Sequence, residues 1–432
     1  MLTVIGIVAF IIGILFSIGW HELGHMIPAK KFGVKVTQYM IGFGPTIWSR
    51  KKGDTEYGVK AVPLGGYIRM IGMFPPGPDG KVRANSTGRL GAMIEDARKQ
   101  SQEEVLTEQD KQRTFYKLPV HQKLVVMLGG PVMNLILAAI LFTILLVGFG
   151  TPQTSTVVEK ISPCVPTAAS VTGQCVNGAA PSPAAAAGVQ PGDQIVSYNG
   201  TAVSSWTQVS TLIRNSPAGS ATMVVKRNGT DTTLHPDVLV MNRTVVTNGQ
   251  PTNETAPQGF IGVTPEIQLQ PQSLTSVPGA MWSLTVRSAT ALIEIPARMI
   301  GVTEAAFGDG QRDPNGPIGV VGVTRISGEV AGAGDIPAEW KVAQFIGLLA
   351  SLNLFLFLFN LIPLLPLDGG HVAGALWEGL RRQIAKWRHR PDPGPVDVAR
   401  ALPLAYGVAI LLIGMSAILV YADFVKPVHI GG

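Results

Sequence analysis

The chain has 432 residues, enough for more than one domain, and is 46% hydrophobic and only 14% charged, against roughly 25% charged in soluble proteins. Charge is absent before Glu22, from Leu124 to Val158, from Val342 to Leu367 and from Ala401 to Ala422. Four such apolar runs of about 20 residues or more exclude a wholly soluble chain and predict an α-helical polytopic membrane protein with four transmembrane helices. The net charge of +6 comes without the basic stripe that a nucleic-acid reader needs, so no nucleic-acid partner is expected.

Residues 1–26 form the first span. The first lysine, Lys30, follows the apolar run and Trp20-His21-Glu22 is a poor cleavage site, so an uncleaved helix is expected rather than a secretory signal. The span ends in His21-Glu22-Leu23-Gly24-His25. Residues four apart share a helix face, so two imidazoles can hold one metal ion. Glu22 stands where it can accept a proton from metal-bound water. Polar groups that merely end a span are the plainer reading, but ionisable groups at this depth are costly and usually face a bundle interior.

Residues 27–74 alternate apolar and polar positions among glycines, with Ile41-Gly42-Phe43-Gly44-Pro45 and Pro63-Leu64-Gly65-Gly66-Tyr67-Ile68-Arg69-Met70. They predict short strands, either as a plain hairpin or as a membrane-associated β-loop beside the histidines. Such backbone is tolerated at membrane depth only where protein or a wet cavity satisfies it. Residues 75–121 read as a polar loop with a short helix, and residues 122–150 as the second span.

Residues 151–266 read as a small α+β domain. Strands are expected at Thr154–Val158 and Gln194–Tyr198, a short helix at Trp206–Arg214, and a hairpin of Met223–Arg227 and Thr230–Leu234 about Asn228-Gly229, a favoured turn pair. The run Ala187-Gly188-Val189-Gln190-Pro191-Gly192-Asp193-Gln194-Ile195 resembles PDZ domains of bacterial envelope proteases. PDZ domains add an extended peptide to a sheet edge, although Gly188, Gly192 and Asp193 read individually as builders of the fold. Cys164 and Cys175 lie in this domain, and a disulfide is favoured over two free thiols in an oxidising compartment.

Residues 267–341 form a linker in which 276–305 predict an amphipathic helix, lying on the outer membrane surface or packed on the PDZ-like domain. Residues 342–370 form the third span, 371–400 a loop, 401–424 the fourth span and 425–432 a tail. Lysine and arginine number 17 in residues 26–123, 6 in 371–400 and 10 in the longer 150–341. Cytoplasmic loops are enriched in both, so 26–123 and 371–400 are assigned to the cytoplasm, and 150–341 with both termini outside.

A catalytic zinc needs a third protein ligand. Asp368 follows 26 uncharged residues at the same membrane face as the histidine pair, where prolines and glycines break the helix. His371 is the rival. Asp368 is preferred because a carboxylate balances the charge of Zn²⁺.

In this order, His21 to His25, Pro63 to Tyr67, Gly130-Pro131-Val132-Met133-Asn134, the PDZ-like insertion, and Asn360 through Gly370 resemble the site-2 protease family of intramembrane zinc metalloproteases. The single PDZ-like domain with its cysteine pair is similar to the actinobacterial type. The resemblance implies a multi-pass protein of the bacterial plasma membrane with its active site near the cytoplasmic side and its PDZ domain outside. It implies zinc ligands His21, His25 and Asp368, Glu22 as base, and Asn360 as a substrate-positioning residue, its alternative role being to satisfy the broken helix. A further expectation is that Gly65, Gly66, Tyr67 and Ile68 hold an unwound substrate by strand pairing. Asn134 reads as a structural bond between spans. The implied substrates are single-pass transmembrane proteins such as anti-sigma factors, or remnant signal peptides, and the oligomeric state is unknown. A catalytically silent scaffold would lack one of the four active-site residues, and a zinc transporter would spread polar groups along its spans.

Overall fold

The first apolar run folds as one helix, α1 (Leu2–Lys31), closed by Lys30 and Lys31 in its last turn, where cations complement the helix dipole. Leu2, Ile5, Ile12 and Phe16 stand exposed on it, a patch that suits lipid rather than water. The computed structural model describes residues 1–75, 107–165, 175, 179–247, 250–308, 310–313, 316–334 and 336–428. One unit comprises residues 1–148 and 273–432, the other residues 149–272. Among the described residues, four helices are long and apolar enough to cross a membrane: Leu2–Lys31, Val120–Phe149, Ala338–Asn360 and Val398–Val425.

After α1 come β1 (Val36–Lys52) and β2 (Thr55–Met70), an antiparallel pair that folds on itself. Tyr39 pairs with both Tyr57 and Ile68, while Ser49 and Arg50 pair with Gly58 and Tyr57. Residues 38–41, near the start of β1, therefore lie between two stretches of β2, and residues 66–70 form an edge. Val34, Val36, Met70, Phe115, Val126 and Met127 make the core beneath this sheet. Of the loop expected at 75–121, residues 76–106 lie outside the described residues; the rest carries a short helix, α2 (Glu108–Gln112). The second span, α3 (Val120–Thr143), runs on through a π-helical turn to Phe149.

The second unit contains β3 (Thr151–Ile161), α4 (Pro183–Ala186), β4 (Gln194–Tyr198), β5 (Thr201–Ala202), α5 (Trp206–Arg214), β6 (Gly219–Ser220), β7 (Met223–Arg227), β8 (Thr230–Leu234), β9 (Asp237–Thr247), β10 (Gln250–Phe260) and β11 (Val263–Gln270). One sheet runs β11-β3-β4-β7-β8 with β5 on β4, and another runs β10-β9-β6. Inward-facing residues of β3, β4 and β7 (Val158, Ile195, Tyr198, Met223, Val225) meet Val209 and Ile213 of α5 in the core. The long β9–β10 hairpin was not expected, because residues 237–260 have little apolar alternation. Cys164 and Cys175 are joined as a disulfide.

Asp193 is a structural staple here. Its side chain is 1% exposed and accepts from Arg227 Nε at 2.7 Å, Arg227 Nη2 at 2.7 Å and Gln190 N at 2.8 Å. Gly188 and Gly192 have φ of +76° and +91°, turn geometry that side chains resist.

Five helices complete the first unit: α6 (Val277–Phe307), α7 (Val320–Gly332), α8 (Ala338–Asn360), α9 (Asp368–Trp387) and α10 (Leu402–Val425). Neither reading of the amphipathic segment anticipated that α6 packs on membrane helices. Met281 and Leu284 join the α3–α8 core, and Val302 and Ala306 meet Ala422 of α10. The stretch read as a loop at 371–400 is corrected by α9. On that helix Glu378, 2% exposed, accepts from Lys123 Nζ at 2.8 Å, from Val396 N at 3.1 Å and pairs with Arg382 at 3.1 Å. The ion pair ties α9 to α3.

Removing one partner of a buried pair strands the other charge. Glu378→Ala is expected to destabilise the membrane unit by roughly 3–5 kcal/mol, whereas Lys123→Met with Glu378→Leu loses far less; thermal unfolding in detergent measures both. In the other unit, burial raises the Asp193 pKa, but the Arg227 guanidinium and the Gln190 amide outweigh it and hold the carboxyl below its usual range. Such a group stabilises the fold above its unfolded pKa, about 3.9, and that contribution fades as pH falls through the lower folded value. Asp193→Asn is therefore expected to lower the unfolding temperature at pH 7 and to remove part of the loss below about pH 4, read by pH-dependent calorimetry.

Candidate metal centre

The site begins with an unusually close helix crossing. A Cβ on Gly24 of α1 would fall 2.3 Å from Gly129 O, and one on Gly130 of α3 would fall 2.2 Å from His25 Nε2. Only glycine lets the two backbones and the imidazole share this space. Trp20 Nε1 donates to Met133 O at 2.9 Å, fixing the crossing from the side.

Helical spacing brings His21 and His25 to one face, with their Nε2 atoms 3.2 Å apart. His25 is 5% exposed, and its Nδ1 lies 2.7 Å from Val126 O. A carbonyl only accepts, so Nδ1 carries a proton, and in the neutral ring the Nε2 lone pair is bare. His21 Nδ1 lies 3.0 Å from Asn134 Nδ2.

The third group comes from the break after α8. Pro363 and Pro366 cannot continue a helix, and the chain turns before restarting at Asp368, the first residue of α9. Asp368 Oδ2 lies 3.2 Å from His21 Nε2 and 3.3 Å from His25 Nε2. Among the described residues, these three are the group of His, Cys, Asp and Glu able to hold a metal ion. Zinc bonded tetrahedrally at about 2.0–2.1 Å separates its ligand atoms by about 3.3 Å, matching the three distances. Electron-pair donors crowded this closely repel one another unless a proton or a metal cation lies among them. The residues present fit a zinc ion with one position left open.

Glu22 sits against this cluster, its charge acting on both histidines and Asp368, with the backbone of Ile68 at its carboxylate. Gly66 faces the same helix: a Cβ there would fall 2.7 Å from Ile18 Cγ2 and 3.1 Å from Glu22 Cγ. Tyr39 Oη donates to Gly19 O at 2.7 Å, which docks the sheet on α1. Gly65 takes φ +85° under the Phe43 ring, and Tyr67 stacks on Phe43 with centroids 6.0 Å apart. The edge strand at 66–70 therefore runs beside Glu22.

Asn360 Nδ2 donates to Leu356 O at 3.0 Å within its own helix. His371, one turn beyond Asp368, lines a cleft with Met73, Phe115, Lys123 and Glu378 and is not in the metal-holding group. The Cys164–Cys175 pair belongs to the other unit. Two contacts were not foreseen. The bond of Asn134 falls on His21 itself, and Asn353, wholly buried, donates to Ser17 Oγ at 2.9 Å, linking α1 to α8. A polar residue amid each apolar run was the only signal, and spacing does not reveal its partner.

Comparison with known proteins identifies the family. The model of peptidase family M50 matches residues 9–390. The zinc metalloprotease Rip1 of Mycobacterium tuberculosis (strain ATCC 25618 / H37Rv) is 35% identical over 441 residues, covering 100% of both chains. Rip1 of Mycolicibacterium smegmatis is 33% identical over 444 residues, again covering both chains entirely. Metalloprotease MmpA of Caulobacter vibrioides is 26% identical over 396 residues, 88% of this chain and 89% of that one. With these apolar helices and this donor set, the chain belongs to peptidase family M50, the site-2 proteases, and is a membrane-embedded zinc metalloendopeptidase.

Proposed function

We propose that this protease cuts single-pass transmembrane substrates at a zinc ion held by His21, His25 and Asp368, with Glu22 as general base. The observation that carries the reading is the meeting of two Nε2 atoms and one carboxylate oxygen at 3.2–3.3 Å. Zinc bound there supplies Lewis-acid polarisation of a carbonyl and lowers the pKa of water from 15.7 towards roughly 7. The Glu22 carboxylate accepts a proton from the attacking water and returns it to the leaving amine nitrogen. Asp368 offsets the charge of the cation, and Val126 O keeps the proton of His25 on Nδ1, away from the site.

A substrate helix hides its carbonyls in its own hydrogen bonds, so it must unwind before attack. Unwound backbone needs partners at membrane depth. The edge strand at 66–70, with Gly66 and Ile68 against Glu22, offers them by strand pairing. Asn360 donates through its amide nitrogen to Leu356 O, which leaves the side-chain oxygen to serve as a substrate-positioning group.

The excess of Lys and Arg in residues 26–123 and 371–400 puts the metal centre near the cytoplasmic face, with residues 149–272 outside. That unit acts as a PDZ domain selecting substrates already trimmed externally. Its β11 is a sheet edge, and a groove lined by Trp206, Ile213, Arg243 and residues 260–264 suits an added strand. Anti-sigma factors and remnant signal peptides are the substrate classes this architecture serves.

Glu22→Gln is expected to keep full zinc content while cleavage of a reconstituted transmembrane substrate falls by about 10²-fold or more. Zinc loss together with cleavage would contradict the base assignment. Proline at Ile68 removes the N–H that bonds the Glu22 carboxylate and disturbs the edge strand, and is expected to reduce cleavage with zinc retained; undiminished cleavage would remove the strand-pairing role.

A further inference from the structure

Helix α3 donates no atom to the metal cluster, yet it touches the rear nitrogen of both imidazoles. Val126 O takes His25 Nδ1 and Asn134 takes His21 Nδ1. For His25 the consequence is settled, because a carbonyl accepts only. For His21 it turns on which end of the Asn134 amide faces the ring. Asn134 is wholly buried, Nδ2 lies 3.0 Å from Nδ1, and Oδ1 has no partner.

If Nδ2 donates to Nδ1, a neutral His21 must carry its proton on Nε2. That proton would then point at Asp368 Oδ2 and His25 Nε2, where the metal-facing lone pair is required. Turning the amide by half a rotation puts Oδ1 at the same place. It then accepts Nδ1–H and leaves Nε2 bare. Amide oxygen and nitrogen have nearly the same shape, so the network decides between them. In either orientation one amide atom lacks a partner, so hydrogen bonding at Asn134 does not choose; the demand of the metal for a bare Nε2 does.

We infer that Asn134 is a positioning residue for the zinc site, accepting the Nδ1 proton of His21 through its side-chain oxygen and so presenting Nε2 to the metal. Together with Val126 O, it makes α3 the element that sets the tautomer of both imidazoles. Outer-shell acceptors of this kind fix ring orientation and raise ligand basicity. The inference rests on His21 being a zinc ligand.

The test is zinc affinity of the full-length protein in detergent, measured by chelator competition for wild type, Asn134→Leu, Asn134→Asp and His21→Ala, with thermal unfolding of each zinc-free protein alongside. Asn134→Leu is expected to weaken zinc binding by about 10–100-fold. Asn134→Asp, which can only accept, is expected to stay within a few-fold of wild type or to bind tighter. An aspartate variant as weak as the leucine variant means that the amide donates, and overturns the inference. If the leucine variant does not fold, the aspartate variant decides alone: retained affinity supports the inference, and a tenfold loss defeats it. His21→Ala separates the two layers of argument. Unchanged zinc affinity there removes the ligand assignment itself, while a large loss beside an unaffected Asn134→Leu removes only the role of Asn134.

Discussion

Two imidazole nitrogens and a carboxylate oxygen within 3.3 Å of one another need a shared proton or a metal cation between them, since like partial charges repel strongly away from bulk water. Much of the membrane unit can be read as the apparatus that holds these atoms together. The glycines at 24, 129 and 130 bring α3 to the face of α1 that carries the histidines. The broken end of α8 and the restart at Asp368 deliver the carboxylate. The buried Lys123–Glu378 pair anchors the helix that Asp368 begins. Each of these lies within two or three turns of the cluster, so the precision of the site depends on local packing more than on the length of the spans.

Polar chemistry at this depth also needs every hydrogen-bonding group near it to be satisfied. Ser17 and Asn353 bond one another across α1 and α8, one turn before the histidines. Tyr39 closes on the Gly19 carbonyl. The β1–β2 sheet meets its own backbone requirement by folding one long strand between two stretches of the other, which leaves a single edge strand beside Glu22. An enzyme that must receive an unwound segment gains from such an edge, because the incoming backbone finds donors and acceptors where lipid supplies none.

Sequence legibility followed the physical range of each signal. Spans were plain because a charge-free apolar run of about 20 residues matches the thickness of a bilayer core and exceeds what a small soluble core buries. The histidine pair was plain because helical spacing alone puts residues 21 and 25 together. Asp368 was legible as the lone carboxylate at the right span end. In the other unit, Gln194–Tyr198, Trp206–Arg214 and the turn at Asn228-Gly229 matched their periodicities. What failed was non-local. Helix α9 was read as a loop because the contact that anchors it, Glu378 to Lys123, spans 255 residues. The β9–β10 hairpin lacks alternation, since part of its length covers little core. Asn134 looked like a generic bond between spans; its partner was visible only once α1 and α3 were in contact.

X-ray absorption at the zinc edge on the purified, full-length protein addresses the centre directly. The account predicts one zinc per chain, bonded to nitrogen and oxygen at about 2.0–2.1 Å with imidazole scattering from two histidines and no sulfur shell. Absence of bound zinc, or a sulfur shell at about 2.3 Å, would contradict it.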